Sequence, residues 1–438
     1  MKAPKRIASV IINALKGGVV PRIGLPYITV GRDQEIRALL HDVDIIADGG
    51  ASFRFIVGKY GSGKSFLLQT IRGYVMDRNF VVVDADLSPE RRLHGTKGQG
   101  LATYRELIRN MSTKTRPEGG ALTLILDRWI NNIRSETAAE NDLSVNDPGL
   151  ESLAQKKIYA EVSSLNEMVH GFDFARLLTL YYKASIEGDD YTKGLVVKWF
   201  RGEYSIKAEA KNELGVNIII TDDDWYDYLK LFGMFLKRAG YSGLMILIDE
   251  LVNIYKIPNA ISRQYNYEKL LTMYNDCLQG KASYIGIIMG GTPQCIEDVR
   301  RGIFSYEALR SRLEAGRFSR ENDVSDMMSP VIRLNPLTNE EMLILVEKLS
   351  EIHAGLYDYT PRFEQNDLAD FIRIEFSRIG ANSHITPREV IRDFIELLNL
   401  AYQNPEKSVR ELLGSDDFSF TPSSDGGEDT VGYEEFEI

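Results

Sequence analysis

Cysteine is nearly absent from this chain: Cys277 and Cys295 are the only two in 438 residues. Two thiols are too few for a disulfide framework or a zinc knuckle, and a reducing cytoplasm is the compartment that fits. Long apolar runs are missing as well. No stretch approaches the roughly 20 residues needed to cross a bilayer, so no membrane partner is expected. Lys2, Lys5 and Arg6 precede a short apolar run from Ile7 to Leu15. Lys16 interrupts that run and no small-residue cleavage site follows, which argues against a signal peptide. A basic excess is also lacking, since the net charge is −11.

The distribution of that charge matters more than its sum. Eight of the negative charges lie after Ser415, at Asp416, Asp417, Asp425, Glu428, Asp429, Glu434, Glu435 and Glu437, with no Lys or Arg among them. The rest of the chain therefore carries only about three, which leaves room for local basic faces. The tail 414–438, with its run Thr421-Pro422-Ser423-Ser424-Asp425, is too polar to pack and is expected to be disordered. It is either a solvating end or a peptide that docks on a basic surface. Hydrophobic content of 44% with 26% charged residues is that of an ordinary soluble protein, and the length predicts two or three folded units.

What is present alternates between strand and helix. An N-terminal helix or arm is expected within 1–20, ending at Gly17-Gly18. A second helix opens near Val30-Gly31-Arg32, with apolar positions at Ile36, Leu39, Leu40 and Val43. Strands are expected over 53–57, 80–83, 244–248 and 284–289, and a helix over 101–112. Between 113 and 240 lies a long, mostly helical insert with a polar, looped middle at 135–150. Its last helix starts at Trp225. From about 331 onward the pattern reads as all helical, marking a smaller domain at 331–413. The fold class is α/β with a parallel, doubly wound sheet.

The chemistry begins at Gly58-Lys59-Tyr60-Gly61-Ser62-Gly63-Lys64-Ser65. An apolar strand leads into this G-x-x-x-x-G-K-S run and a helix follows. Glycines let successive N–H groups turn toward phosphate oxygens, and the helix N-terminus adds positive potential. Lys64 would reach the β- and γ-phosphates, and the Ser65 hydroxyl would hold Mg²⁺. The second element is Leu244-Met245-Ile246-Leu247-Ile248-Asp249-Glu250, an apolar strand ending in two carboxylates at the edge where open α/β sheets bind ligands. Asp249 would hold Mg²⁺ through water, and Glu250 would polarise the attacking water. ATP hydrolysis is therefore expected.

Three further positions carry alternatives. Thr292 ends the next strand and would touch the γ-phosphate, or else cap a Gly-Thr-Pro turn. Arg310 and Arg312 lie among Arg300, Arg301, Arg317 and Arg320, and either would serve a neighbouring subunit's γ-phosphate. Nearby acids make a solvated helix face the plain alternative. Arg388 follows Thr386-Pro387 at a helix start and would reach the nucleotide, or else remain a surface arginine.

The order of these features resembles an AAA+ ATPase of the origin-recognition and initiator branch. Gly31-Arg32-Asp33-x-Glu35 is similar to that branch's motif beside the adenine. Gly58–Ser65 resembles Walker A, Asp249-Glu250 Walker B, Thr292 sensor 1, Arg312 or Arg310 the arginine finger, and Arg388 sensor 2. The run Gly17 to Pro26 before Val30-Gly31-Arg32, with Asp86-Leu87-Ser88-Pro89-Glu90-Arg91-Arg92-Leu93-His94-Gly95-Thr96 and Trp199-Phe200-Arg201-Gly202-Glu203, resembles the BREX-system ATP-binding proteins of bacteria, the BrxD-like group. That resemblance covers most of 7–400. It implies ATP and Mg²⁺ as cofactors, an AAA+ domain over 21–330 with a helical lid, a homo-oligomeric ring or filament, and a helicase- or methyltransferase-type partner in antiphage defence. Unlike initiator ATPases, the chain has the long insert and no room after Arg388 for a winged-helix DNA reader. DNA contact would come from the core, the insert or a partner. Two other readings stay open: a nucleotide-gated scaffold without turnover, and a helicase-loader or transposition-targeting ATPase outside defence.

Overall fold

The computed structural model describes residues 3–316, 326–377 and 386–414. Arg317, Arg320 and the acidic tail lie outside the described residues. The chain forms two compact units, one of residues 1–32, 60–66 and 335–438, the other of 33–59 and 67–334.

The larger unit is built on a five-stranded sheet: β1 (Ala51–Val57), β2 (Val81–Asp86), β3 (Leu244–Asp249), β4 (Ile285–Gly291) and β5 (Val331–Arg333). Their order is β2-β3-β4-β1-β5, and every pairing is parallel. Parallel strands are buried on both faces, and side chains alternate between faces along a strand. Both rules are visible residue by residue. Phe53, Phe55 and Val57 of β1, Val81 and Val83 of β2, and Leu244, Ile246 and Ile248 of β3 enter one core, together with the insert's aromatic residues. Ile56, Val82, Met245 and Leu247 enter the opposite core. The helices Asp33–Ala47 and Lys64–Asp77 cover that second face with Ile36, Leu39, Val43, Leu67, Leu68 and Ile71.

The strands fall close to their expected places, with one addition. β5 occupies 331–333, inside the stretch read from sequence as wholly helical, and pairs Val331, Ile332 and Arg333 with Phe55, Ile56 and Val57. Three residues give no period of their own, so β1 is what makes them a strand. The charged exception within β1 is Arg54, buried and donating to both Asp42 oxygens at 2.6 and 2.8 Å. A buried charge needs such a partner.

The insert is helical, with helices at Leu122–Glu140, Leu150–Ser163, Gly171–Glu187, Asp190–Phe200 and Lys207–Leu214, before Trp225–Arg238. Its centre is aromatic. Phe174 packs edge-on against Phe232 at 5.2 Å and is tilted on Phe200 at 5.0 Å, geometries that aromatic quadrupoles favour. The expected loop is shorter than 135–150, because the helix from Leu122 persists to Glu140.

The smaller unit is helical, with helices at Lys5–Lys16, Asn339–Tyr357, Gln365–Ser377, Pro387–Gln403 and Val409–Gly414. Ile11, Ile12 and Leu15 of the first helix share a core with Val346, Leu349, Phe371, Phe394, Leu397 and Leu398. Thr338 with Glu341, and Thr386 with Glu389, form reciprocal capping boxes that fix two of these helix starts.

Candidate functional site

In the sheet unit, the candidate residues gather at the C-terminal ends of the strands. Gly58 follows β1 directly, and its N–H donates to the Gly291 carbonyl of β4 at 3.1 Å. Asp249 ends β3, and its Oδ1 accepts from the Glu250 N–H at 2.8 Å. Glu250 itself is exposed and adopts φ +63°. A residue other than glycine held in this left-handed region carries strain of about 1–3 kcal/mol. Such strain persists only where the surroundings impose it. Here the Leu251 N–H is tied to the Gly290 carbonyl at 3.1 Å, immediately after the turn.

Two residues of this edge escaped the sequence reading. Gly290 on β4 leaves space for the Asp249 carboxylate: a methyl group there would overlap Oδ1 of Asp249 and approach the Leu68 side chain to 3.3 Å. Asp86, last in β2, pairs in register with Asp249. The enclosure of its carboxyl group, then the neighbouring charges of Asp249 and Asp84, raise its pKa although the residue keeps solvent access. The Asp84-Ala85-Asp86 strand end was the available signal. Only pairing with β3 gives it meaning.

Thr292 follows β4. Its Oγ1 accepts from the Cys295 N–H at 3.3 Å and so caps the short helix Pro293–Glu297. A hydroxyl that accepts in a cap still carries a proton to donate. Arg310 and Arg312 lie on the helix Glu307–Leu313. Arg310 faces Glu314 at 3.7 Å, while Arg312 is exposed and donates to the Ala308 carbonyl. Among the described residues, these contacts of Arg310 and Arg312 stay within their own helix and its end, away from the strand-end residues.

In the helical unit, Tyr60–Phe66 carry the centre of the phosphate loop. Gly61 and Gly63 have φ of +74° and +92°, the backbone curl that the G-x-x-x-x-G-K-S pattern predicts. Lys64 and Ser65 open the helix that runs to Asp77. Arg32 is buried and donates to the carbonyls of Ser62 at 3.0 Å and Asn335 at 2.9 Å. It therefore braces the loop. Arg388 is exposed and lies 3.4 Å from the Tyr60 hydroxyl. A side chain on Gly61 would press on Thr386 Cβ at 2.5 Å, and one on Gly18 would press on Arg388 Nε at 3.1 Å. The structure thus brings Arg32, Tyr60–Ser65, Thr386 and Arg388 into one unit, and Gly58, Asp249, Glu250 and Thr292 into one strand edge.

Among the described residues no group of three or more His, Cys, Asp or Glu side chains is arranged to hold a metal. Mg²⁺ keeps most of its waters and takes few protein ligands, so a hydroxyl such as that of Ser65 or a carboxylate such as that of Asp249 is chemically suited to it singly. No described helix is long and apolar enough to cross a membrane. No curated protein matches the chain. One family model does, over residues 3–417, and its description is BREX system ATP-binding protein BrxC/D. With a glycine-curled phosphate loop in the matched region and nearly the whole chain covered, the protein belongs to the family of BREX system ATP-binding proteins BrxC/D.

Proposed function

We propose that this BREX protein hydrolyses the ATP it binds, and that it does so as an AAA+ ATPase whose sheet unit is the core and whose helical unit is the lid. The observation that carries hydrolysis is Glu250, an exposed carboxylate held at φ +63° beside Asp249. A scaffold that only binds nucleotide has no use for strain at that position, whereas a base aimed at an attacking water has.

In this reading the curled N–H groups of Gly61–Lys64 and the Lys64 ammonium receive the β- and γ-phosphates. Ser65 and Asp249 would hold Mg²⁺, which would supply positive charge against the phosphates. Glu250 orients the water and accepts its proton. Thr292 donates its hydroxyl proton toward the γ-phosphate or the water. Arg388 adds positive charge from the helical unit. Arg312 is the better finger for a neighbouring subunit, because it is exposed while Arg310 already faces Glu314. A homo-oligomer, DNA association and a helicase- or methyltransferase-type partner complete the proposal.

The test is Glu250→Gln, which removes the base and keeps the shape. Nucleotide affinity should persist while phosphate release falls about 100-fold or more. If the wild type releases no more phosphate than this variant, with and without DNA, hydrolysis is wrong. The same assay across protein concentration tests the shared site, since a finger supplied by a neighbour makes the specific rate rise with concentration.

A further inference from the structure

The segment from Leu87 to Gly98, between β2 and the helix Gln99–Arg109, takes no part in the site described above. It carries Arg91, Arg92, His94 and Lys97 against a single acid, Glu90, and Glu90 accepts from the Ser88 hydroxyl at 3.0 Å. A basic stretch in a chain of net charge −11 needs an explanation.

The loop has no helix or strand of its own, yet its backbone is pinned from several directions. Asn266, fully buried, accepts at Oδ1 from both the Leu93 and His94 N–H groups at 3.0 Å, and its Nδ2 donates back to the His94 carbonyl at 3.1 Å. The Asp222 carboxylate accepts from the Gly98 and Leu101 N–H groups, both at 2.7 Å. The Trp225 indole donates to the Leu93 carbonyl at 3.1 Å, and the Thr103 hydroxyl to the Arg92 carbonyl at 2.7 Å. Asp222 thus spends one carboxylate oxygen on the end of the loop and the other on the first turn of the helix that follows it. The outward groups are different in kind. Thr96 and Lys97 are exposed, and His94 packs against Tyr265 with ring centroids 5.2 Å apart. Tyr265 is 46% exposed, and Ile261, one turn earlier on the same helix, is 62% exposed.

A pinned backbone that exposes Lys97, with Arg91, Arg92 and His94 half-buried along the same loop and His94 against the exposed Tyr265, offers the recognition chemistry of single-stranded nucleic acid: phosphates meet the cations and unstacked bases meet the rings. Pre-ordering lowers the entropy cost of binding. A duplex hides its base faces and offers Tyr265 and Ile261 nothing. An acidic peptide would satisfy the cations and leave the same surface uncovered.

The loop is also wired to the carboxylate edge. The Leu87 N–H donates to the Asp249 carbonyl at 3.1 Å, Asn253 Nδ2 donates to the Leu87 carbonyl at 2.8 Å, and Arg91 Nε donates to the Asp86 carbonyl at 2.9 Å. We infer that residues 87–98 together with Tyr265 and Ile261 form a binding surface for single-stranded nucleic acid, and that its occupancy reaches Asp249-Glu250 through Leu87 and Asn253. The binding half stands alone, while the coupling half rests on the hydrolytic reading.

The experiment uses the full chain and fluorescent 30-mers of oligo(dT), a duplex of equal length and a polyglutamate peptide, followed by anisotropy at two salt concentrations. The wild type should bind oligo(dT) most tightly. Lys97→Ala should weaken it and flatten the salt dependence. Tyr265→Ala should weaken it by about tenfold with the salt dependence unchanged. Retained ATP affinity in both variants shows that they are folded. Equal binding by both variants and the wild type overturns the inference, as does preference for duplex or for polyglutamate. Oligo(dT) should stimulate phosphate release by the wild type, and Asn253→Ala should keep oligo(dT) binding but lose the stimulation. Stimulation that survives in Asn253→Ala overturns the coupling. Absent phosphate release in the wild type counts against hydrolysis, and the anisotropy arms still decide the surface.

Discussion

The two units hold their candidate residues in opposite ways. At the strand edge, backbone geometry does the holding: Glu250 is fixed by its left-handed turn, and Asp249 fits because Gly290 has no side chain. In the helical unit, side chains do it, with the Arg32 guanidinium on the carbonyls of Ser62 and Asn335 and Arg388 beside the Tyr60 hydroxyl. A parallel sheet already satisfies its backbone groups by strand pairing, so its edge can be shaped by turns and clearances. A phosphate loop has no ladder to rest on and must borrow donors. Substitutions should therefore separate chemistry from stability in the sheet and couple them in the helical unit.

Arg32→Ala gives the largest expected effect on that comparison. Two carbonyls lose a charged donor, at a cost of about 1–3 kcal/mol, and the loop loosens. Both melting temperature and nucleotide affinity should fall, the latter by about tenfold or more. Calorimetric binding of ATP beside a thermal melt would check this, and loss of affinity with an unchanged melt would break the coupling. Gly290→Ala is the counterpart in the sheet. Its methyl group displaces the Asp249 carboxylate, a flexible end, so phosphate release should drop about tenfold, corresponding to ~1.4 kcal/mol of barrier, with the melt scarcely moved. A collapse of the fold would show that Leu68, not Asp249, is what the glycine protects.

Glu250→Gly sharpens the point in the other direction. Strain of about 1–3 kcal/mol is relieved, and about 0.5–1 kcal/mol is returned through the freer unfolded chain. Stability should rise slightly while hydrolysis is lost, and a clear destabilisation would refute the strain argument. The smallest effect is one of pH. His353 is fully buried between the Tyr359 hydroxyl and Asn399, and burial lowers its pKa from 6.5. The folded state keeps it neutral while the unfolded chain takes up a proton below about pH 6.5, so stability present above that pH is lost as pH falls. His353→Gln should flatten the pH dependence of the melt between pH 7 and 5.

Much of this was legible beforehand. The G-x-x-x-x-G-K-S run, the apolar strands and the Asp249-Glu250 pair announce themselves locally, because period-2 burial and glycine-dependent turns are properties of neighbouring residues. Thr386-Pro387 likewise announced a helix start, and the capping box with Glu389 is what such a start requires. β5 was not legible, since three residues acquire strand geometry only from β1. Nor were Gly290 and Asp86, whose meaning lies in register with other strands; Arg32 was expected beside the adenine, and its hold on the Ser62 and Asn335 carbonyls was not foreseen.

The sequence by itself pointed to a bound nucleotide and to 58–65 as the loop built for it: glycine spacing and the lysine-serine pair specify backbone curl and charge without help from distant residues. The tertiary structure decided what surrounds that loop. Asn266 and Asp222 pin the basic segment 87–98 from far along the chain, and Gly290 opens the space beside Asp249. Hydrogen bonds and steric clearances of this kind exist only once the strands and helices have met.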